Sequence, residues 1–154
     1  MENLETLSIY LDVCCLNRPF DDQSQPRIRL ESEAILLILG RLALGEWSWI
    51  GSEAILREVD RTPDSERRHQ VSTLVGAMGT IIEVNEAALA RAGQLTPLGF
   101  KALDALHVAC AEIGSADVFL TTDDRLVRAA KRAGDQIRTR VDNPLSWLTG
   151  AIGR

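Results

Sequence analysis

The sequence predicts an α/β domain built on a largely parallel sheet with helices on both faces. Two observations carry this. Short β-branched and apolar runs alternate with longer amphipathic stretches along the whole chain. The gaps between them are short, as expected where parallel strands are joined by crossing helices in one compact unit. At 154 residues, 45% of them apolar, the chain can bury a sizeable core, and it reads as a single domain over residues 1–154. It has no internal repeat, low-complexity tract or long linker.

The first strand runs from Leu7 to Asp12, an apolar run that delivers a carboxylate at its C-terminal end. Asn17, Arg18, Pro19 and the polar stretch from Asp21 to Pro26 then read as a loop. From Arg27 to Leu44 the apolar residues Ile28, Ala34, Ile35, Leu37, Ile38 and Leu42 recur at helical spacing, and Gly45 is a fitting stop. Trp47 to Ile50 is a second strand. Ser52 is a good N-cap for a helix carrying Ala54, Ile55 and Val59, which ends before Pro63.

A helix from Asp64 to Ala77 precedes the strand Thr80 to Val84, and Asn85 can cap Glu86 to Leu95. Phe100, Leu103, Leu106, His107, Cys110 and Ile113 mark an amphipathic helix ending at Gly114. Asp117 to Thr121 is the best strand of the second half. Asp123 to Ala133 is helical with Gly134 as its stop, Ile137 to Val141 is a strand, and Pro144 opens a last helix.

In parallel α/β sheets function gathers beyond the C-terminal ends of the strands, so the acids placed there carry weight. Asp12 and Asp123 follow predicted strands. Glu58 lies on the helix after the second strand. Asp104 lies among Leu103, Ala105 and Leu106, where a carboxylate is costly unless it is paired, hydrogen-bonded or metal-bound. Four converging carboxylates would raise one another's pKa values, and a hard divalent cation turns the same cluster into oxygen ligands. With only two histidines in the chain, Mg²⁺ or Mn²⁺ suits the set better than zinc. Such a centre supports metal-assisted phosphodiester hydrolysis.

Taken singly, each acid has a plainer reading. Asp12 and Asp123 can be turn or capping residues, and Glu58 sits among Arg57, Asp60 and Arg61 like part of a solvated face. His107, one turn from Asp104, reads as a hydrogen-bonded histidine at the core margin and is left out of the site. Arg18, Lys101 and Arg125 lie near the acids in sequence and could steer phosphate, although ordinary surface pairing accounts for any one of them.

The net charge of −5 argues against a large sequence-independent nucleic-acid footprint, and bound metal would have to supply the positive charge locally. Cys14, Cys15 and Cys110 show no zinc or redox spacing and read as buried, reduced core residues. No apolar run is long enough to span a membrane, and the start from Met1 to Glu5 is acidic, so a cytosolic location is expected. Neither G-x-G-x-x-G nor a P-loop is present, which disfavours dinucleotide and nucleotide-triphosphate sites. A haloacid-dehalogenase-like enzyme would want a second Asp two residues after the first, where Cys14 stands.

Four pieces in order then resemble the PIN-domain family over nearly the whole chain. They are Ile9 to Asp12 with Asn17 following, Ile50 to Ser52 with Glu58 six residues after the serine, Leu103 to Ala109 around Asp104, and Phe119 to Asp123. The resemblance implies a three-layer α/β/α sandwich around a mainly parallel sheet of about five strands. It implies an acidic pocket of Asp12, Glu58, Asp104 and Asp123 that binds Mg²⁺ or Mn²⁺ and cuts RNA. It also implies the setting of many bacterial and archaeal members, in which a dimeric toxin is held inactive by a small antitoxin. Asp123 rather than Asp124 takes the fourth position, because it lies two residues beyond Thr121 as in the family pattern. One departure is that the family often has a hydroxyl residue just after the first aspartate, where this chain has Val13, Cys14 and Cys15. The loop from Asn17 to Pro26 is a candidate cover for the pocket or a partner surface. A non-catalytic module binding RNA or protein is the alternative reading.

Overall fold

The computed structural model describes residues 6–152, so the acidic start from Met1 to Glu5 lies outside the described residues. Five parallel strands form the sheet: β1 (Ser8–Leu11), β2 (Ser48–Ser52), β3 (Thr80–Ile82), β4 (Val118–Leu120) and β5 (Arg140–Asp142), in the order β3-β2-β1-β4-β5. The inner pair explains why the strands read as continuous apolar runs rather than alternating ones. Ile9, Tyr10, Leu11, Val118, Phe119 and Leu120 are all at most 1% exposed, buried on both faces of the sheet.

The connecting helices are α1 (Val13–Asn17), α2 (Pro26–Ala43), α3 (Glu53–Asp60), α4 (Ser65–Val75), α5 (Glu86–Leu95), α6 (Ala102–Ile113), α7 (Asp124–Ala133) and α8 (Pro144–Ile152). They complete the expected three-layer α/β/α arrangement, with α2 packed on α8 and α5 on α6. Local chemistry fixes several starts: Ser52, Asp64, Asn85 and Asp123 each accept a backbone N–H of the first turn they precede. Among the described residues no helix is long and apolar enough to cross a membrane.

Two boundaries differ most from the sequence reading, while smaller shifts carry β2 on to Ser52 and end β3 at Ile82. The stretch after β1 is not an open loop: Asp12 caps α1, and Arg18–Phe20 continues as a 3-10 turn. Arg67 then pins the segment by donating to Asn17 Oδ1 at 3.1 Å, Asp21 Oδ1 at 3.1 Å and the Phe20 carbonyl at 2.8 Å. The last strand starts later than Ile137. A 3-10 turn occupies Gly134–Gln136, Thr139 donates its hydroxyl to the Ala116 carbonyl, and pairing begins only at Arg140 opposite Val118.

The chain places β2 and β3 on one side of β1, then returns to lay β4 and β5 on the other. The order therefore reverses between β1 and β4, and a crevice opens there at the C-terminal ends of the strands.

Candidate active site

Asp12 leaves β1 at that reversal. Strand register sets Leu11 beside Leu120, the Asp12 N–H donates to the Leu120 carbonyl at 2.9 Å, and Thr121 arrives alongside. The Thr121 hydroxyl donates to Asp12 Oδ2 at 2.8 Å, and the Val13 N–H donates to Asp12 Oδ1 at 2.9 Å. The hydroxyl absent after Asp12 in the sequence is thus supplied from the neighbouring strand. The carboxyl is only 7% exposed, and burial raises its pKa despite the hydrogen bond from Thr121.

Tyr10, two residues back on the same face of β1, reaches α6. Its hydroxyl lies 2.7 Å from Ser52 Oγ and 2.7 Å from His107 Nδ1, while His107 Nε2 lies 2.9 Å from Glu58 Oε1. One proton arrangement satisfies every group. Ser52 donates to Tyr10, Tyr10 donates to Nδ1, and Nε2–H donates to the Glu58 carboxylate. Buried Tyr10 is held well above the usual phenol pKa, as that assignment requires. His107 is 1% exposed, whereas the Glu58 side chain is 35% exposed and faces the crevice.

Asp104 and Asp123 form the outer side. Asp104 stands in the first turn of α6 and Asp123 caps α7, accepting the Arg125 N–H at 2.9 Å while its own N–H donates to Thr121 Oγ1 at 3.1 Å. Both line a cavity of about 260 Å³ that also holds Lys101, Arg125, Arg128 and Arg132. The chain turns into this cavity through Gly99, whose φ of +110° favours a residue without Cβ. Burial, then the charges of Asp12 and Asp123, push the Asp104 carboxyl up to about 6.

The four acids therefore fall into two groups. Donor atoms of Asp12, Glu58 and His107 lie within 4.8 Å of one another, and Asp104 with Asp123 lines the adjoining cavity, coupled to Asp12 through its charge. His107 is the residue the sequence reading set aside. It is the hydrogen-bonded core-margin histidine expected, but its partner is an acid of the cluster, and only the tertiary approach of α3 to α6 reveals that. Asp124 faces away, held by both guanidinium nitrogens of Arg27 at 2.8 and 2.9 Å. Arg18 is engaged with Asp21 and buried Glu31 at 3.3 and 3.0 Å, so of the three cations singled out only Lys101 and Arg125 reach the cavity. No residue from Asn17 to Pro26 lines it. Cys15 and Cys110 are buried as expected, but Cys14 is only partly so, its Sγ 3.5 Å from Asp12 Oδ2.

The donor set fits a hard divalent cation. Asp12 and Asp104 are both raised by burial, Asp104 also by its anionic neighbours, a strain that a cation would relieve. Both ring nitrogens of His107 are committed, to Tyr10 and to Glu58, which leaves oxygens as the available ligands.

No curated protein matches the chain. Among solved structures, FitAcB from Neisseria gonorrhoeae superposes with a TM-score of 0.60 at 19% identity, covering 88% of this chain and 97% of that one. VapBC2 from Rickettsia felis, bound to a DNA fragment from their promoter, gives 0.60 at 15% identity, covering 89% and 98%. These likenesses concern the fold. The model of the PIN domain matches residues 9–132, a span that opens in β1, ends in α7 and contains all four acids, and by that match the chain belongs to the PIN-domain family.

Proposed function

We propose that the chain is a metal-dependent endoribonuclease whose centre is Asp12, Glu58, Asp104 and Asp123. The observation that carries the reading is the gathering of Asp12, Asp104 and Asp123 at the sheet's switch point, where burial, then the charges of Asp12 and Asp123, hold Asp104 at about 6 against the ordinary 3.8. Asp12, Asp104 and Asp123 would hold Mg²⁺ or Mn²⁺, with Glu58 at its margin. When bound, the ion would supply an activated water and charge stabilisation at a phosphodiester.

The chain's own residues prepare that chemistry. Thr121 and the Val13 N–H fix both oxygens of Asp12, so the carboxylate presents one orientation. The Ser52, Tyr10 and His107 chain ends on Glu58 and fixes one of its oxygens. Lys101, beside Asp104, lowers the cost of that acid's ionisation and places a positive charge where a phosphate would enter.

The setting proposed is the toxin half of a toxin–antitoxin pair, acting as a homodimer in the cytoplasm and restrained by a small antitoxin. Its support is the PIN-domain membership and the likeness in fold to FitAcB and VapBC2. The test is cleavage of mixed structured and single-stranded RNAs with Mg²⁺, Mn²⁺ or EDTA, alongside Asp104→Asn. Cleavage that needs metal and vanishes in the folded variant is the expected result. Tight RNA binding without turnover would replace the nuclease with a binding module.

A further inference from the structure

The chain carries five more acidic than basic residues, yet one helix face departs from that balance. Lys101, Arg125, Arg128 and Arg132 converge on the cavity that Asp104 and Asp123 also line. All four are exposed, and among the described residues none takes part in an ion pair. Elsewhere Arg18, Arg27, Arg41, Arg67, Arg91 and Arg140 are each paired with a carboxylate, and the other unpaired cations among the described residues, Arg29, Arg57, Arg61, Arg68, Lys131 and Arg138, lie outside this cavity, so what sets these four apart is their convergence beside Asp104 and Asp123. Free cations clustered beside an acidic centre, in a chain with carboxylates to spare, leave an anion from outside as their natural partner.

The spacing gives the anion a shape. Arg125, Arg128 and Arg132 stand at i, i+3 and i+7 on α7, hence on one face. They extend over roughly 10 Å of helix, which outreaches a single phosphate group. The row starts next to Asp123 and leads away from the acids along the cavity, its far end at Arg132 lying over Gly99.

Resting on the ribonuclease reading, we infer that this face of α7, with Lys101, is a track for consecutive backbone phosphates of a single RNA strand beyond the nucleotide being cut. Contacts of this kind position the strand without reading its sequence. They are also uniform binding, made equally before and during the reaction, so their loss raises KM more than it lowers kcat. An acidic peptide could be drawn by the same charges, but the track opens directly onto the carboxylates, where a strand must pass to be cut.

The test is binding of a single-stranded uridine oligonucleotide to the full-length protein in EDTA, where cleavage is silent, over a range of salt. Arg128→Ala/Arg132→Ala is compared with wild type and with Lys131→Ala/Arg138→Ala, whose cations line a separate cavity on another side of α7. Each lost contact to a single strand removes about 0.7 from the salt slope, so the first pair should flatten it by about 1.4 and weaken binding about 25-fold near 0.1 M salt. The control pair should bind as wild type does, and thermal melts verify folding. Equal losses in both pairs, no loss in either, or a folded wild type that binds poly-glutamate in preference to RNA would each overturn the track. Cleavage in Mn²⁺ separates the two readings: normal binding without turnover removes the nuclease and keeps the track, while turnover with an unchanged salt slope does the reverse.

Discussion

The inner and outer halves of the acidic centre are built in opposite ways. Ser52, Tyr10, His107 and Glu58 form a continuous chain of hydrogen bonds, and Asp12 beside it accepts from Thr121 and the Val13 N–H. Asp104 lies half-buried against the cavity with no hydrogen bond from another side chain among the described residues, and its carboxyl is pushed up by burial and by like charge. The inner acids are held in place by hydrogen bonds, and Asp104 is not. A site divided in this way keeps its scaffold rigid and concentrates the unmet charge on its outer side, where the proposed chemistry would place a cation and a phosphate.

The largest effect expected from breaking this contrast is on activity at the outer half. Asp104→Asn should lower RNA cleavage by about a hundredfold or more, the scale on which groups acting in the transition state are felt, measured as kcat/KM in Mn²⁺. Stability should move the other way. Because the folded pKa of Asp104, about 6, exceeds its ordinary 3.8, this group's contribution is full below about pH 4 and is lost as pH rises through about 6. Metal-free wild type should therefore lose Tm over that window, Asp104→Asn should lose less of it, and Mn²⁺ should restore the wild type near neutrality. A melt series that falls equally in both proteins would mean that Asp104 is not the strained member.

A smaller effect is expected where the two halves join. Thr121 donates to Asp12 and accepts from the Asp123 N–H, so it ties an inner acid to an outer one. Thr121→Val keeps the shape and removes both bonds. Loss of partners that orient ligands typically weakens metal binding by about 10- to 100-fold, and Mn²⁺ titration calorimetry should find a change in that range. Unaltered affinity would show Asp12 to be positioned by the backbone alone.

Within the inner half the expected cost is to folding. Tyr10→Phe leaves Ser52 Oγ and His107 Nδ1 buried without their shared partner, a loss of about 1–3 kcal/mol by denaturant titration. Cleavage should fall less than in Asp104→Asn, because Glu58 keeps its place on α3. An unfolding midpoint unchanged by this substitution would contradict the hydrogen-bonded chain.

The same contrast explains what could be read in the residues. Strands followed by acids are a local pattern, so the places of Asp12 and Asp123 at strand ends were legible, and so were the caps at Ser52 and Asn85. Asp104 stood out because its neighbours are apolar. The partnership of His107 with Glu58 spans 49 residues and the Thr121 hydroxyl reaches back 109, distances over which periodicity carries no information. The short helix after Asp12 was hidden by Pro19 and the polar residues beyond it, although Asp12 is itself a good N-cap. The basic face of α7 was hidden by the acidic total, because net charge does not record where the charges lie.

The smallest effect is predicted for Asp124→Asn, and it is the sharpest test of how local the division is. Asp123 and Asp124 are neighbours in sequence with opposite surroundings. Asp123 caps α7 from the cavity side, whereas Asp124 lies 52% exposed against Arg27, whose hydrogen bonds and then its charge lower its pKa. An exposed pair of this kind contributes about 0.2–1 kcal/mol, and Arg27 retains Glu31 at 2.9 Å when Asp124 is neutralised. Cleavage by Asp124→Asn should therefore stay within about twofold of wild type, while Asp123→Asn approaches the loss seen at Asp104. If the two substitutions instead cost the same, the carboxylate facing Arg27 must turn inward when substrate or metal binds, and the boundary between the coupled acids and the surface would have to be drawn one residue further along α7.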